Sequence, residues 1–154
     1  MVPARLFALS VVALLLALAG CGSSPKPVTK AQYQTQLGKA GQAVTLAGQQ
    51  VGKVITTAEF NDAVTDLQKA LRDGAKTLNG LEPPANARAA NKKLAKAFDD
   101  LADALEKVKE ARRVSIVKAR QAIVELGKTD AIKDGRAAIL ELNNLGYAAE
   151  AAAP

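Results

Sequence analysis

The 154-residue chain contains no histidine, no tryptophan and a single cysteine. Without histidine it lacks the commonest metal ligand and the side chain that most often moves protons near neutral pH. Nucleophiles activated by histidine are therefore excluded, and an enzyme would have to rely on carboxylates, lysine or tyrosine. One cysteine also excludes a disulfide within the chain. We expect a protein that is not an enzyme and holds no cofactor.

The single cysteine stands at the end of an apolar run. Residues 1–5 carry one positive charge, residues 6–18 are apolar, and Ala19 and Gly20 are small. This layout is typical of a secretory signal peptide. The run is shorter than the roughly 20 apolar residues that a membrane-spanning helix needs. Residues 1–20 are therefore predicted to be a signal peptide that ends at Cys21.

The segment Leu18-Ala19-Gly20-Cys21 resembles the lipobox of bacterial lipoproteins, in which an aliphatic, a small and a Gly or Ala residue precede cysteine. The resemblance implies recognition of Leu18, Ala19 and Gly20 by a signal peptidase, cleavage before Cys21, and a diacylglycerol on the Cys21 sulfur. The new amino group is a candidate for acylation by a chain such as palmitate. Two or more acyl chains anchor a protein stably. This predicts a lipid anchor on the extracytoplasmic side of the cell membrane, and the alternative is an ordinary secretory signal followed by a free thiol.

The pattern of charged residues indicates which partners the protein could bind. The net charge of the chain is +6 and both signs are interleaved, which favours an anionic bilayer or cell-wall polymer over a nucleic acid. Six cations cluster late in the chain: Lys107, Lys109, Arg112, Arg113, Lys118 and Arg120. They could meet lipid headgroups or form an ordinary mixed-charge helix face. No aromatic residues are interleaved for base stacking, so nucleic acid is not expected.

The rest of the chain divides into a tether, a helical domain and a tail. Residues 21–28 hold the lipidated cysteine and a flexible segment rich in proline and serine. Residues 29–147 carry apolar residues at helical spacing throughout. Residues 148–154 are an alanine-rich tail that is predicted to be disordered. No strand-like alternation occurs, which predicts an all-α fold.

Local signals predict where the helices begin and end. Thr29 with Gln32 forms a capping box, and a second one at Thr56 with Glu59 follows a break in the apolar register. The pair Asn79-Gly80 predicts a left-handed cap, and the two prolines after it forbid continuation. Residues 85–126 form one long helix or two with a break near Arg113. A last short helix begins at Thr129, and the segment Asn143-Asn144-Leu145-Gly146-Tyr147 is predicted to end it. The expected fold is an antiparallel helical bundle, or a long helical hairpin with a short return helix.

Three further segments resemble small helical lipoproteins of high-GC bacteria, notably actinobacteria. They are TKAQY at residues 29–33, LNGLEPP with RAANKKL at residues 78–84 and 88–94, and LGY at residues 145–147. The resemblance implies fold and location, because members of the group are largely uncharacterised. Many of them carry a cysteine pair, which this chain lacks, so no functional residue is transferred.

Two candidate sites remain in the helical domain. Asp99, Asp103 and Glu106 share a helix face and could hold a hard cation or act as catalytic carboxylates, against the simpler reading of a solvated surface. Small residues along the apolar seams, Ala40, Ala47 and Gly74, leave room for a pocket. The expected function is a non-enzymatic binding or scaffolding module of the cell envelope, whose partner is an envelope protein or wall polymer. The alternative is a carrier of a small apolar ligand between the helices.

Overall fold

The computed structural model describes residues 27–53 and 57–147. Within these ranges the chain contains no strand and forms α1 (Lys30–Lys53), α2 (Thr57–Asn79), α3 (Arg88–Val114), α4 (Ile116–Leu126) and α5 (Asp130–Asn144), with a 3₁₀ turn over Ala85–Ala87. The predicted all-α class is confirmed. The predicted signal peptide, Cys21, residues 22–26 of the tether and the tail lie outside the described residues. Among the described helices, none is long and apolar enough to cross a membrane.

The helices form an antiparallel bundle. α1 packs on α2, α2 packs on α3, and both α4 and α5 pack on α3. Position 74 of α2 faces Ala40 of α1 and Phe98 of α3. Lys93 near the start of α3 pairs with Glu141 near the end of α5 at 2.9 Å. α4 and α5 therefore share the fourth position of the bundle and run back along α3.

Two predicted helix boundaries are confirmed in atomic detail. The backbone N–H of Thr29 donates to Gln32 Oε1 at 2.9 Å, and the backbone N–H of Gln32 donates to Thr29 Oγ1 at 3.2 Å. This is the reciprocal capping box. α5 ends at Asn144, and two residues later the φ of 76° at Gly146 lets the N–H of Tyr147 reach the carbonyl of Leu142 at 2.9 Å. A side chain at position 146 would be strained in that conformation.

The predicted left-handed cap at Asn79-Gly80 is wrong. α2 does end at Asn79, but the described residues show positive φ only at Gly146. The N–H of Gly80 instead donates to the carbonyl of Lys76 at 3.0 Å, so the chain leaves the helix in a right-handed conformation. Because proline cannot continue a helix, Pro83 and Pro84 account for the stop without help from the glycine.

The long segment is two helices, and the break falls at Ser115. This residue has extended backbone, with φ of −167° and ψ of 160°. Its hydroxyl accepts the backbone N–H of Lys118 at 3.1 Å and caps α4. A serine cap satisfies one of the free N–H groups that every helix start exposes. The second predicted capping box includes Thr56, which lies outside the described residues.

The core follows the predicted apolar seams. The aromatic side chains Tyr33, Phe60, Phe98 and Tyr147 are all buried, as expected for core packing. α2 and α3 approach closely at Gly74, where a Cβ would lie 2.9 Å from the ring of Phe98. Glycine at this position lets the ring pack directly against the α2 backbone. No such approach occurs at Gly38 or Gly52 of α1, where a Cβ would meet open space.

Candidate functional site

The carboxylates of α3 face solvent. Asp103 is 77% exposed and pairs with Arg72 of α2 at 3.3 Å rather than with Lys107 on its own helix. Asp100 pairs with Lys96 one turn earlier on α3. Among the described residues, no group of histidine, cysteine or acidic side chains is arranged to hold a metal ion. This face has the contacts of a solvated surface.

Glu106 takes part in a polar crossing between α2 and α3. Gln68 is nearly buried and donates to the carbonyl of Ala102 at 2.8 Å and to Glu106 Oε1 at 2.6 Å. Lys109 Nζ donates to Gln68 Oε1 at 2.6 Å. The hydrogen bond from Gln68, and then the charge of Lys109, hold the pKa of Glu106 below its ordinary value. Two members of the predicted acidic and basic clusters thus serve to join helices.

An apolar groove lies between α1 on one side and α4 with α5 on the other. Its first compartment has a volume of about 510 Å³. Eleven of its twelve lining residues fall on the five helices and one, Gly127, on the turn after α4; they are Val44, Thr45, Gly48, Gln49, Leu67, Leu71, Leu101, Leu105, Ile123, Leu126, Gly127 and Ile132. Ligand pockets in proteins range over roughly 300–1,000 Å³. The compartment is therefore large enough for a small organic molecule.

A second compartment of about 430 Å³ continues the groove toward the α3–α4 break. The two compartments share Gly48, Leu67, Leu105, Ile123 and Leu126. The second adds Val51 and Gly52 of α1, Phe60 of α2, and Ile116 and Arg120 of α4. Among the described residues that line the two compartments, Arg120 is the one that carries a charge. The groove is thus an apolar trough with a single cation.

The groove exists because α1 does not close the bundle. α1 packs on α2 but barely touches α4 or α5, and its groove face carries Gly48 and Gly52, which have no side chain to fill the gap. The predicted source of space is wrong in detail, because the ring of Phe98 occupies the room beside Gly74, and Ala40 packs there too. Ala47 does not line either compartment.

The opposite end of the bundle is closed by polar and aromatic contacts. Tyr33 donates from its hydroxyl to Asn91 Oδ1 at 3.1 Å, and Asn91 Nδ2 donates to the carbonyl of Leu78 at 3.0 Å. The rings of Tyr33 and Tyr147 meet edge to face with centroids 5.2 Å apart. Burial, and then the neighbouring Tyr147, raise the pKa of Tyr33 well above its ordinary range. We call this region the closed end.

The described chain begins at the closed end. The backbone N–H of Val28 donates to the carbonyl of Glu82 at 3.0 Å, and Glu82 also pairs with Arg88 at 2.8 Å. Pro27 lies beside Glu82 in the same contact. The segment that leads from Cys21 therefore joins the bundle at the α2–α3 turn, far from the groove.

One exposed apolar stripe lies outside the groove. Val114, Val117 and Val124 are 75%, 61% and 61% exposed. Val117 and Val124 are seven residues apart in α4 and so share its outer face, and Val114 precedes them at the end of α3. This stripe and the groove are the two apolar surfaces that the fold leaves uncovered near α4.

Together these features define the class of molecule: an all-α bundle with one closed end and one open, apolar groove. Comparisons with protein-family models, with curated proteins and with solved structures return no match to this chain. The predicted site residues Leu18, Ala19, Gly20 and Cys21 lie outside the described residues. The groove residues were missed at the sequence level, although the two glycines on one face of α1 were a signal of missing core volume.

Proposed function

We propose that the protein is a lipid-anchored binding protein of the cell envelope that carries a small apolar ligand in the groove between its helices. The observation that carries this proposal is the groove itself, whose lining is mainly apolar and which is large enough for a ligand. The proposal favours the carrier over the scaffold, because a scaffold with no ligand has no use for an unfilled core.

The energetic argument starts from ordinary core packing. Protein interiors are close-packed, and apolar walls without partner atoms forfeit the dispersion contacts that a filled core would make. Leu67, Ile123 and Leu126 are only partly buried where they line the groove. A ligand that covers such walls gains about 25 cal/mol per Å² of apolar surface removed from water. The groove therefore favours apolar ligands without needing specific polar contacts.

The anchor and the groove occupy different ends of the bundle. Gly48 lies roughly 27 Å along α1 from Lys30, at a rise of about 1.5 Å per residue. The six residue steps from Cys21 to Pro27 span at most about 20 Å. An anchor at Cys21 thus holds the closed end near the bilayer and leaves the groove open, which suits a protein that exchanges a ligand with other envelope components.

The groove is tested by photo-crosslinking on the full-length protein in phospholipid vesicles, with a diazirine derivative of hexadecanol as a neutral apolar probe. We expect the label on peptides of α1 and α4 that line the groove. Gly48→Met places a side chain in the groove and should abolish this labelling. Gly38→Met is the matched control, because position 38 lies on α1 away from the groove. Equal labelling of both variants and of the unchanged protein would refute the carrier proposal.

The anchor is tested separately. A Cys21→Ala variant expressed in a bacterial host should leave the membrane fraction, whereas the unchanged chain should stay in it. A variant that still fractionates with membranes would remove the lipid anchor from the proposal.

A scaffolding role has one observation in its favour, which is the exposed valine stripe of α4. If the stripe docks an envelope protein, Val117→Asp should abolish an in-cell crosslink to that protein and leave the groove labelling unchanged. The absence of any stripe-dependent crosslink would dismiss this second candidate.

A further inference from the structure

We infer that the groove selects single-chain amphiphiles with an anionic headgroup, and that Arg120 is the residue that recognises the head. This inference rests on the proposed carrier function and adds the ligand class. The basis of the inference is that one guanidinium, that of Arg120, lies at the edge of an otherwise uncharged apolar groove.

The first observation is that Arg120 lies at the edge of the groove. It lines the second compartment together with Phe60, Ile116 and Ile123, yet the residue as a whole is exposed to solvent. A long side chain of this kind lays its carbon stem along apolar surface and keeps the charged head in water. The head of a ligand whose alkyl chain lies in the groove would thus meet the guanidinium where the groove opens to solvent.

The charge of Arg120 is not used inside the protein. Within the described ranges, Arg120 forms no ion pair, and the nearest carboxylate along α4, Glu125, pairs with Lys128 at 2.7 Å. Lys109, Arg72 and Arg88 each meet a carboxylate, whereas Arg113 and Lys118, like Arg120, form no ion pair within these ranges. Arg120 differs from Arg113 in its place on the groove lining, where its guanidinium is available to a ligand.

The chemistry of the guanidinium fixes the ligand class. Its planar fork of N–H donors matches carboxylate and phosphate oxygens in a bidentate way, and such charge-assisted bonds are stronger than neutral ones. A lining with one cation and no anion also disfavours cationic and zwitterionic heads relative to anionic heads. A fatty acid and a monoalkyl phosphate both present the required chemistry, and the experiment separates them.

The test extends the vesicle crosslinking with three diazirine probes of equal chain length: the hexadecanol derivative, a palmitic acid derivative and a hexadecyl phosphate derivative. We expect at least one anionic probe to label the groove peptides about tenfold more efficiently than the alcohol. Arg120→Gln should remove this preference and leave alcohol labelling unchanged, and Arg120→Lys should restore part of it. Raising the salt concentration should reduce the preference, because exposed charges are screened.

Arg113→Gln is the matched control, because Arg113 is exposed but does not line the groove. It should leave every labelling ratio unchanged. Groove labelling by the alcohol without any anionic preference, or a preference that survives Arg120→Gln, would overturn the headgroup inference and leave the carrier proposal standing. Failure of all three probes to label the groove would refute the carrier proposal. The relative labelling by the acid and the phosphate identifies the preferred head.

Discussion

The two ends of this bundle are built from similar helices but differ in how the core is completed. At the closed end Tyr33, Asn91 and Tyr147 join α1, α3 and the residues after α5 through ring packing and buried hydrogen bonds. At the groove end α1 presents Gly48 and Gly52, and among the described residues α1 and α4 barely touch. The comparison teaches that one end supplies stability and the other supplies space, and each prediction below compares a residue at one end with its counterpart at the other.

The largest expected effect is a difference in the free energy of unfolding lost when a filled core position and a groove-lining position are each changed to alanine. Phe98→Ala should lower the free energy of unfolding by about 3–5 kcal/mol, because the ring is fully buried beside Gly74. Ile123→Ala should cost less than about 2 kcal/mol, because this side chain is only partly buried and already faces open volume. Urea denaturation measures both values, and equal losses would contradict the division into two ends.

Two glycines should respond to the same substitution with opposite signs. Gly74→Ala places a Cβ 2.9 Å from the Phe98 ring and should destabilise the protein by about 1–3 kcal/mol. Gly48→Ala meets nothing closer than Leu67 at 4.0 Å and should stabilise it by up to about 1 kcal/mol, because alanine favours the helix. Thermal unfolding of the two variants decides the matter, and a destabilising Gly48→Ala would show that the gap beside α1 is needed for folding.

The third comparison concerns two asparagines that accept tyrosine hydroxyls. Asn91→Ala leaves the buried hydroxyl of Tyr33 and the carbonyl of Leu78 without their partner, which should cost about 1–3 kcal/mol. Asn86 accepts the hydroxyl of Tyr147 at 2.8 Å from an exposed position, where water can replace it. Asn86→Ala should therefore cost less than about 1 kcal/mol, and a reversed order would show that the closed end does not depend on the Tyr33 contact.

The smallest predicted effect is a dependence on alkaline pH. The pKa of Tyr33 is raised in the folded protein, mainly by burial. Above the ordinary tyrosine pKa of 10.0 the unfolded chain releases a proton that the folded protein retains, so stability falls as pH rises. Tyr33→Phe should flatten this part of the profile. An unchanged slope between the two proteins would show that Tyr33 ionises freely in the fold.

The sequence predicts the closed end better than the groove, and the reason is physical. The Thr29 capping box and the stop at Gly146 depend on residues within one turn of each other, so local patterns suffice. The break at Ser115 involves neither glycine nor proline, and a serine in a long apolar repeat fits a continuous helix as well as a cap. The choice depends on α4 packing back on α3, which is a tertiary effect.

The groove could not be located from the sequence, because it exists only where α1 does not pack against α4 and α5. The apolar seams on α1 and α4 have the same sequence pattern whether they line a filled core or an open groove. Arg120 is likewise one of six clustered cations in the chain, and nothing in the sequence sets it apart. The small residues Ala40 and Gly74 were predicted to leave room for a pocket, but the space beside Gly74 is occupied by the ring of Phe98 and by Ala40 itself. Only the relative placement of α1 and α4 shows which gaps remain.

The central claim is that the groove carries a ligand in the cell, and native mass spectrometry tests it most directly. The full-length protein is released from its host's membranes in a mild non-ionic detergent and compared with the Gly48→Met and Gly38→Met variants. We predict one discrete mass excess, beyond the polypeptide and the proposed lipid on Cys21, on the unchanged protein and on Gly38→Met, and its loss from Gly48→Met. An excess that is absent from all three proteins, or equal in all three, would contradict the account.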